Sequence, residues 1–423
     1  MMKKIFLLAS MAVFTGFAMA QELDDIRNLA ILNQNAKAKD AVDKYLAIEK
    51  NAKKPDGWFW KGYVLNQLSK DTTKTIDESS AMKTEAFEVF KKYRQMDPKA
   101  ALLEENTNSP LFDIYLGFSS DLAIKAYNSK NPESAFANFK KGVDVHDYIY
   151  SNNLVGSNGF KFSALDTIIV LYAAIAAQES KKPDEAATYY KKIVDAGLSG
   201  DNFADAYNFL ADYYKKKKDK AAFADILDKS RKLYPKNNEY WMALEIEDAT
   251  DGVEKPAVFA KYDELVAKYP TDYTANYNYA VELYNYLNGD GAKDPNAPAL
   301  RKKLADVLKK SIAIKPSFEG SFLLTNFLYN SSFDMSEEAR KIKSTKPDDV
   351  KKKKAMEADA TKLMDDAIAP GEEAVKLFAA IAKPKTTEKV HYKQVLTMLR
   401  NIYDVKKNAA KSAEYDRMAK AAE

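Results

Sequence analysis

Two histidines, no cysteine and sixty-one Asp and Glu residues are the raw material for chemistry in this 423-residue chain. His146 stands in Val143-Asp144-Val145-His146-Asp147-Tyr148, and His391 between Val390 and Tyr392. An imidazole beside a carboxylate can serve as a general base. Both, however, fall near expected helix ends, where an imidazole facing solvent or the helix dipole is the plainer role. Without cysteine there is no thiol nucleophile, disulfide or thiolate metal site, and two histidines are too few for most His-ligated metal centres. No G-x-S-x-G, H-E-x-x-H, G-x-x-x-x-G-K or G-x-G-x-x-G run occurs. The doublets Glu104-Glu105, Asp348-Asp349 and Asp365-Asp366 are adjacent in sequence. On a helix such neighbours point about 100° apart, so neither can flank a scissile bond with its twin. Asn288, Asp290, Asp294 and Asn296 crowd oxygen atoms into one stretch, but without calcium-loop spacing or its bidentate Glu. The sequence therefore predicts no catalytic residue, no metal site and no cofactor.

The elements that carry these residues read as helices. Apolar positions recur at three- and four-residue spacing in segments of about 12–18 residues separated by short polar breaks, with almost no strand-like alternation. Gly and Pro number 14 each, which argues against a turn-rich all-β fold, and 46% hydrophobic residues are enough for a core. Polar connectors are expected at Asn106 to Pro110 and Ser151 to Asn158, an inserted loop from Asn288 to Pro298, and a further loop from Ser344 to Asp349. Beyond it the pattern predicts a charged helix over about Val350 to Ile368 and a break at Pro370-Gly371. A short helix over about Glu372 to Ala382 should follow, then a final pair over about Glu388 to Lys406 and Ala409 to Ala422.

Residues 1–20 have the form of a secretory signal peptide. Met1-Met2-Lys3-Lys4 is a basic start, Ile5 to Phe17 is mostly apolar, and Ala18-Met19-Ala20 offers a small-x-small cleavage site before Gln21. The apolar run is short for a membrane span of about 20 residues. A periplasmic or secreted protein that is not inserted in a membrane after cleavage is the expectation. Removal of Lys3 and Lys4 leaves 63 Lys and Arg against 61 Asp and Glu, taking the formal charge from +4 to +2. Such a balance implies no nucleic-acid partner. The runs Lys215 to Lys218 and Lys351 to Lys354 lie where a turn or helix end is expected and read as solvated faces.

The chain also repeats itself. Ala86 is followed at +4, +7 and +12 by Phe90, Tyr93 and Pro98; Phe223 by Leu227, Ser230 and Pro235; Val258 by Tyr262, Leu265 and Pro270; and Leu304 by Leu308, Ser311 and Pro316. Small residues stand twelve positions ahead of further anchors: Ala123 before Ala135, Ala174 before Ala186, and Ala211 before Phe223. Gly62 offers a similar start ahead of Ala86. A small residue lets antiparallel helices approach, the large one at +4 fills the gap, and proline stops the helix. This pattern resembles the tetratricopeptide repeat, with its Ala-x-x-x-Phe and closing Pro. The resemblance covers most of residues 22–316. It departs from the motif where Phe223, Val258 and Leu304 replace Ala, and where the units around Ala135 and Ala186 lack the Pro.

The resemblance implies an all-α fold, an α-α superhelix or solenoid of about eight or nine antiparallel helix pairs. Residues 21–316 would form the repeat array and residues 317–423 more divergent repeats and capping helices. It also implies a concave groove lined by the first helix of each pair. Carried over, the groove positions are Phe59, Tyr63 and Asn66 around Gly62, and Asp205, Asn208, Asp212 and Lys215 around Ala211. Around Ala280 they are Thr274, Tyr277, Val281 and Tyr284. The corresponding set around Ala174 is the largely apolar Ile168, Leu171, Ile175 and Gln178, which reads as packing between repeats. Asn and Tyr suit an extended peptide, because carboxamides pair with its main chain. The leading expectation is thus an exported, non-enzymatic scaffold for a protein or peptide partner in the cell envelope. A glycan-binding repeat protein is the alternative, since 26 Tyr and three Trp could stack on sugar rings. An enzyme site assembled between repeats ranks third.

Overall fold

The computed structural model describes residues 22–255 and 257–422; the expected signal sequence and the expected cleavage site after Ala20 lie outside the described residues. Proline and side-chain caps set where the helices begin and end. Pro98, Pro235, Pro270 and Pro316 each stand two residues past the end of a helix, at Met96, Leu233, Lys268 and Ile314. Their missing N–H and fixed φ forbid another turn. Pro132 and Pro183 occupy first turns, where no N–H is needed. Thr75 and Glu78 form a reciprocal capping box, and Asp166, Asp272 and Ser317 each accept a first-turn N–H.

The described residues form helices α1 (22–31), α2 (Asn35–Ala47), α3 (Glu49–Ala52), α4 (Pro55–Leu68), α5 (Ile76–Met96), α6 (Ala101–Glu105), α7 (Ser109–Leu116) and α8 (Ala123–Asn128). They continue as α9 (Pro132–Ser151), α10 (Thr167–Glu179), α11 (Pro183–Asp195), α12 (Ala204–Lys217) and α13 (Lys220–Leu233). After these come α14 (Asn238–Thr250), α15 (Ala257–Lys268), α16 (Tyr273–Leu287), α17 (Ala297–Ile314) and α18 (Phe318–Lys341). The last are α19 (Pro347–Asp366), α20 (Ile368–Ala379), α21 (Thr386–Val405) and α22 (Ala409–Ala421). Among the described residues there is no strand. The chain divides into two compact units, one through Leu233 and one from Tyr234 on.

In the first unit, consecutive helices pack as hairpins: α1 with α2, α4 with α5, α7–α8 with α9, α10 with α11, and α12 with α13. Neighbouring hairpins meet through α2 and α4, α9 and α10, and α11 and α12. Ala86, Ala123, Ala135, Ala174, Ala186 and Ala211 are all fully buried, as crossing residues must be. A Cβ on Gly62 would stand 3.0 Å from the Phe90 ring, so glycine there lets α4 lie against α5. Between α7 and α8 the helix widens into a π-helical turn, Gly117–Leu122, for which the repeat pattern offers no cue. The core here gathers Phe59, Phe90, Tyr93, Phe118 and Ile149.

In the second unit α14 pairs with α15, α16 with α17, α18 with α19, and α21 with α22, while α20 packs against both α18 and α21. The large anchors Val258 and Leu304 here, like Phe223 in the first unit, are buried without loss of the hairpin. Two boundaries differ from the sequence expectation. The charged helix starts at Pro347 rather than Val350. The break falls at Ala367 instead of Pro370-Gly371, and α20 runs through both residues. Pro370 then lies in the first turn of α20, where its lacking N–H costs no bond.

Candidate functional site

The first helices carry the stripes that the resemblance selected, and the structure divides them into core and surface. On α4, Phe59 is 2% exposed and Asn66 is 1% exposed, so neither lines an open groove. Phe59 sits among Trp60, Tyr63, Phe90 and Tyr93 at centroid distances of 5.3–6.4 Å. Asn66 Oδ1 accepts from Lys83 Nζ at 3.0 Å. The Lys83 ammonium is itself buried, 3% exposed, and burial with help from Lys70 lowers its pKa to about 8. A Cβ on Gly117 would overlap this lysine, so the π-turn and its glycine make room for it. The one surface member of the set is Tyr63, which is half-buried.

On α12, Asp205, Asn208, Asp212 and Lys215 recur at +3, +4 and +3 and share one stripe. Asp205 is exposed and the other three are half-buried. Asp212 is engaged by Lys216 at 2.5 Å, and Asn208 Oδ1 is a buried acceptor without a partner among the described residues.

On α16, Thr274, Tyr277 and Tyr284 are half-buried along the next such stripe. Tyr277 stacks on Tyr273 at 5.4 Å and 8°, and burial raises its hydroxyl to about 12, with Tyr273 and Glu319 adding to the shift. Tyr284 donates to Asn326 Oδ1 at 3.4 Å, which joins α16 to α18. Asn330 Nδ2 reaches the same oxygen at 2.5 Å. Across from them on α21, Asn401 donates to Tyr329 at 2.9 Å and accepts from Arg400. Between α18 and α21, Asn326, Tyr329, Asn330 and Asn401 line a cleft of about 560 Å³ with Lys393, Gln394 and Thr397. Sequence reasoning missed Asn326, Asn330, Gln394 and Asn401, because the repeat register fades after Pro316. Their signal was Asn326 and Asn330 at i, i+4 and Gln394, Thr397 and Asn401 at i, i+3, i+7, each a single helix face.

The apolar stripe of α10 departs from expectation. Ile168 is 67% exposed, with Leu171 and Ile175 half-buried, so it is not wholly packed between repeats. Ile168 joins the exposed Leu116 of α7 and Phe160 of the long connector before α10 in lining a cleft of about 780 Å³. The connector's Phe162 packs on Tyr115 and on His146, each at 4.7 Å. The hydroxyl of Tyr115 is bonded to Asp166, and burial raises its pKa.

Both histidines, and Asp294 of the inserted loop, are engaged within the fold. His146 is 2% exposed, its Nδ1 is bonded to Asp147 at 3.0 Å, and its Nε2 is enclosed. His391 stacks on Phe322 at 4.1 Å and pairs with Glu319 at 3.1 Å. In the Asn288–Asn296 loop, Asp294 accepts from Tyr286 and from the Asn296 N–H, both at 2.7 Å. Among the described residues no group of three or more His, Asp or Glu gathers closely enough to hold a metal ion, and no helix is long and apolar enough to cross a membrane. Of the three tryptophans, Trp241 is fully buried, Lys92 Nζ lies over the Trp58 ring at 3.3 Å, and the half-buried Trp60 packs edge-on against Phe59 and Tyr63 at 5.3 and 5.5 Å.

No protein-family profile matches the chain, and no curated protein matches it either. Among solved structures it is similar to a TPR repeats protein from Bacteroides fragilis, with 20% identity over 65% of this chain and 95% of that one and a TM-score of 0.28. It is also similar to the TPR domain of P58(IPK), with 13% identity, 91% and 99% coverage and a TM-score of 0.24. A third is a circular tandem repeat protein, with 11% identity, 98% and 91% coverage and a TM-score of 0.19. At such scores the superpositions carry no argument. The helical-repeat architecture rests on the hairpins, buried crossing residues and helix-ending prolines described above.

Proposed function

We propose that this protein is an exported, non-enzymatic helical-repeat scaffold that binds an extended segment of a protein partner in the cell envelope. The observation that carries the reading is the carboxamide cleft between α18 and α21. Asn326, Asn330, Gln394 and Asn401 offer neutral donors and acceptors beside Tyr284 and Tyr329, and a peptide main chain needs that pairing when it leaves water. In the first unit, the cleft of Leu116, Phe160 and Ile168 offers what a partner's apolar side chain requires. The form of residues 1–20 supports export, to the periplasm or outside the cell. The near-neutral charge of the remainder supports a partner other than nucleic acid.

The test is a displayed library of random peptides, screened beside a glycan array and a hydrolase panel. Peptides should be retained with micromolar dissociation constants, about 8 kcal/mol of binding free energy. Asn330→Ala with Gln394→Ala, both exposed positions, should weaken them about tenfold or more with the helical content unchanged. Retention of glycans in place of peptides, or turnover in the hydrolase panel, would defeat the proposal.

A further inference from the structure

The charge of this chain is balanced overall but not locally. Lys343, Lys346, Lys351, Lys352, Lys353 and Lys354 lie on the connector between α18 and α19 and on the first two turns of α19. Within residues 343–354 the acids are Asp348 and Asp349, so this stretch carries +4, with Glu357 one turn beyond Lys353 and Lys354. The acids just before them are already used: Glu337 pairs with Arg340 and Glu338 with Lys341, both at 2.5 Å. None of the six lysines makes an ion pair among the described residues, and five are exposed, Lys353 being half-buried. On α19, Lys351 and Lys354 stand one turn apart on one face, with Lys352 about 100° round the helix from Lys351 and the half-buried Lys353 a further 100° on. Val350, beside this run in sequence, leaves 37% of its surface to solvent.

We propose that this hairpin tip docks the protein on an anionic phospholipid surface. Its chemistry fits that partner on two counts. Each lysine near an anionic leaflet contributes roughly a fivefold gain in affinity, and unpaired, mobile ammonium groups satisfy lipid phosphates without a fixed geometry. Val350 supplies an apolar contact of the kind that interfacial segments place at the headgroup boundary. A single-stranded nucleic-acid site would stack bases on aromatic rings, and residues 340–354 contain none; a duplex, which lysines can hold by its phosphates alone, is the competing outcome of the test. The patch is separate from the carboxamide cleft, so the two readings stand or fall independently.

The experiment is flotation of the purified protein with vesicles of equal parts phosphatidylglycerol and phosphatidylcholine, and with phosphatidylcholine alone, at about 50 mM and 500 mM salt. The anionic vesicles should bind the protein at low salt and release it at high salt, and the neutral ones should not bind. The triple variant Lys351→Glu, Lys352→Glu, Lys354→Glu should lose about tenfold or more, and so should the connector variant Lys343→Glu, Lys346→Glu, which leaves α19 untouched. Circular dichroism of both should match the parent. Absence of binding at low salt, or binding that both variants retain, overturns the proposal. So does tighter, variant-sensitive binding to a duplex DNA fragment, which would assign the patch to nucleic acid.

Discussion

Lys83 is a lysine withdrawn from water, 3% exposed. Its ammonium has one acceptor, Asn66, in a site walled by Gly117, and its folded pKa of about 8 lies below the ordinary 10.5. A cation held below its unfolded pKa binds fewer protons in the folded state than in the unfolded one between those values. Stability therefore rises as pH climbs from about 8 toward 10.5 and is lost again as pH falls through 8. The full amplitude is about 3 kcal/mol, with Lys70, Asp113 and Asp121 as the neighbouring charges. Urea denaturation at pH 7.5 and 9.5 should show the rise, and Lys83→Met should flatten it. An unchanged slope in the variant would mean that the amine is hydrated. Buried tyrosines such as Tyr277 titrate near 12 and act in the opposite sense only above pH 10. From sequence, Asn66 was a groove residue and Lys83 an unremarked position. Only the approach of α4, α5 and the π-turn pairs them, because burial of an amine is a property of three elements at once.

At the level of the element, the hairpins depend on small crossing residues. Gly62→Val would drive a branched side chain into the Phe90 ring, already at van der Waals limit for a Cβ, and should cost about 1–3 kcal/mol. The measurement is the urea midpoint at constant m-value; a neutral result would mean α4 and α5 can separate freely. Helix-ending prolines were readable directly, since the restriction acts on the residue's own backbone. The run through Pro370-Gly371 was not, because a proline in a first turn and a proline after a last turn look alike until the neighbouring helix is placed. The Asn326–Asn330 face escaped for a related reason: without a repeat register there was no way to tell which side of α18 meets α19 and which meets α21.

On the scale of the molecule, each unit has its own core. Leu308 is fully buried in the second, beside Tyr279, Leu283 and Leu324. Leu308→Ala should cost about 2–5 kcal/mol and speed amide exchange across α16–α18 while α4 and α5 keep their protection. Equal acceleration in both units would contradict separate cores. The proposed export makes a second molecular prediction: protein recovered from the envelope should begin at Gln21 by intact mass, and a chain still carrying Met1 would refute cleavage.

Residue order alone determined the helical class and the helix ends set by Pro98, Pro235, Pro270 and Pro316, since periodicity and proline act through local geometry. It did not determine which stripe positions stay wet. Phe59 and Tyr277 occupy equivalent registers, yet one is enclosed by four aromatic rings and the other lies half open beside Glu319. That outcome depends on what the next hairpin brings against each face, and solvent exposure is decided only when the helices have met.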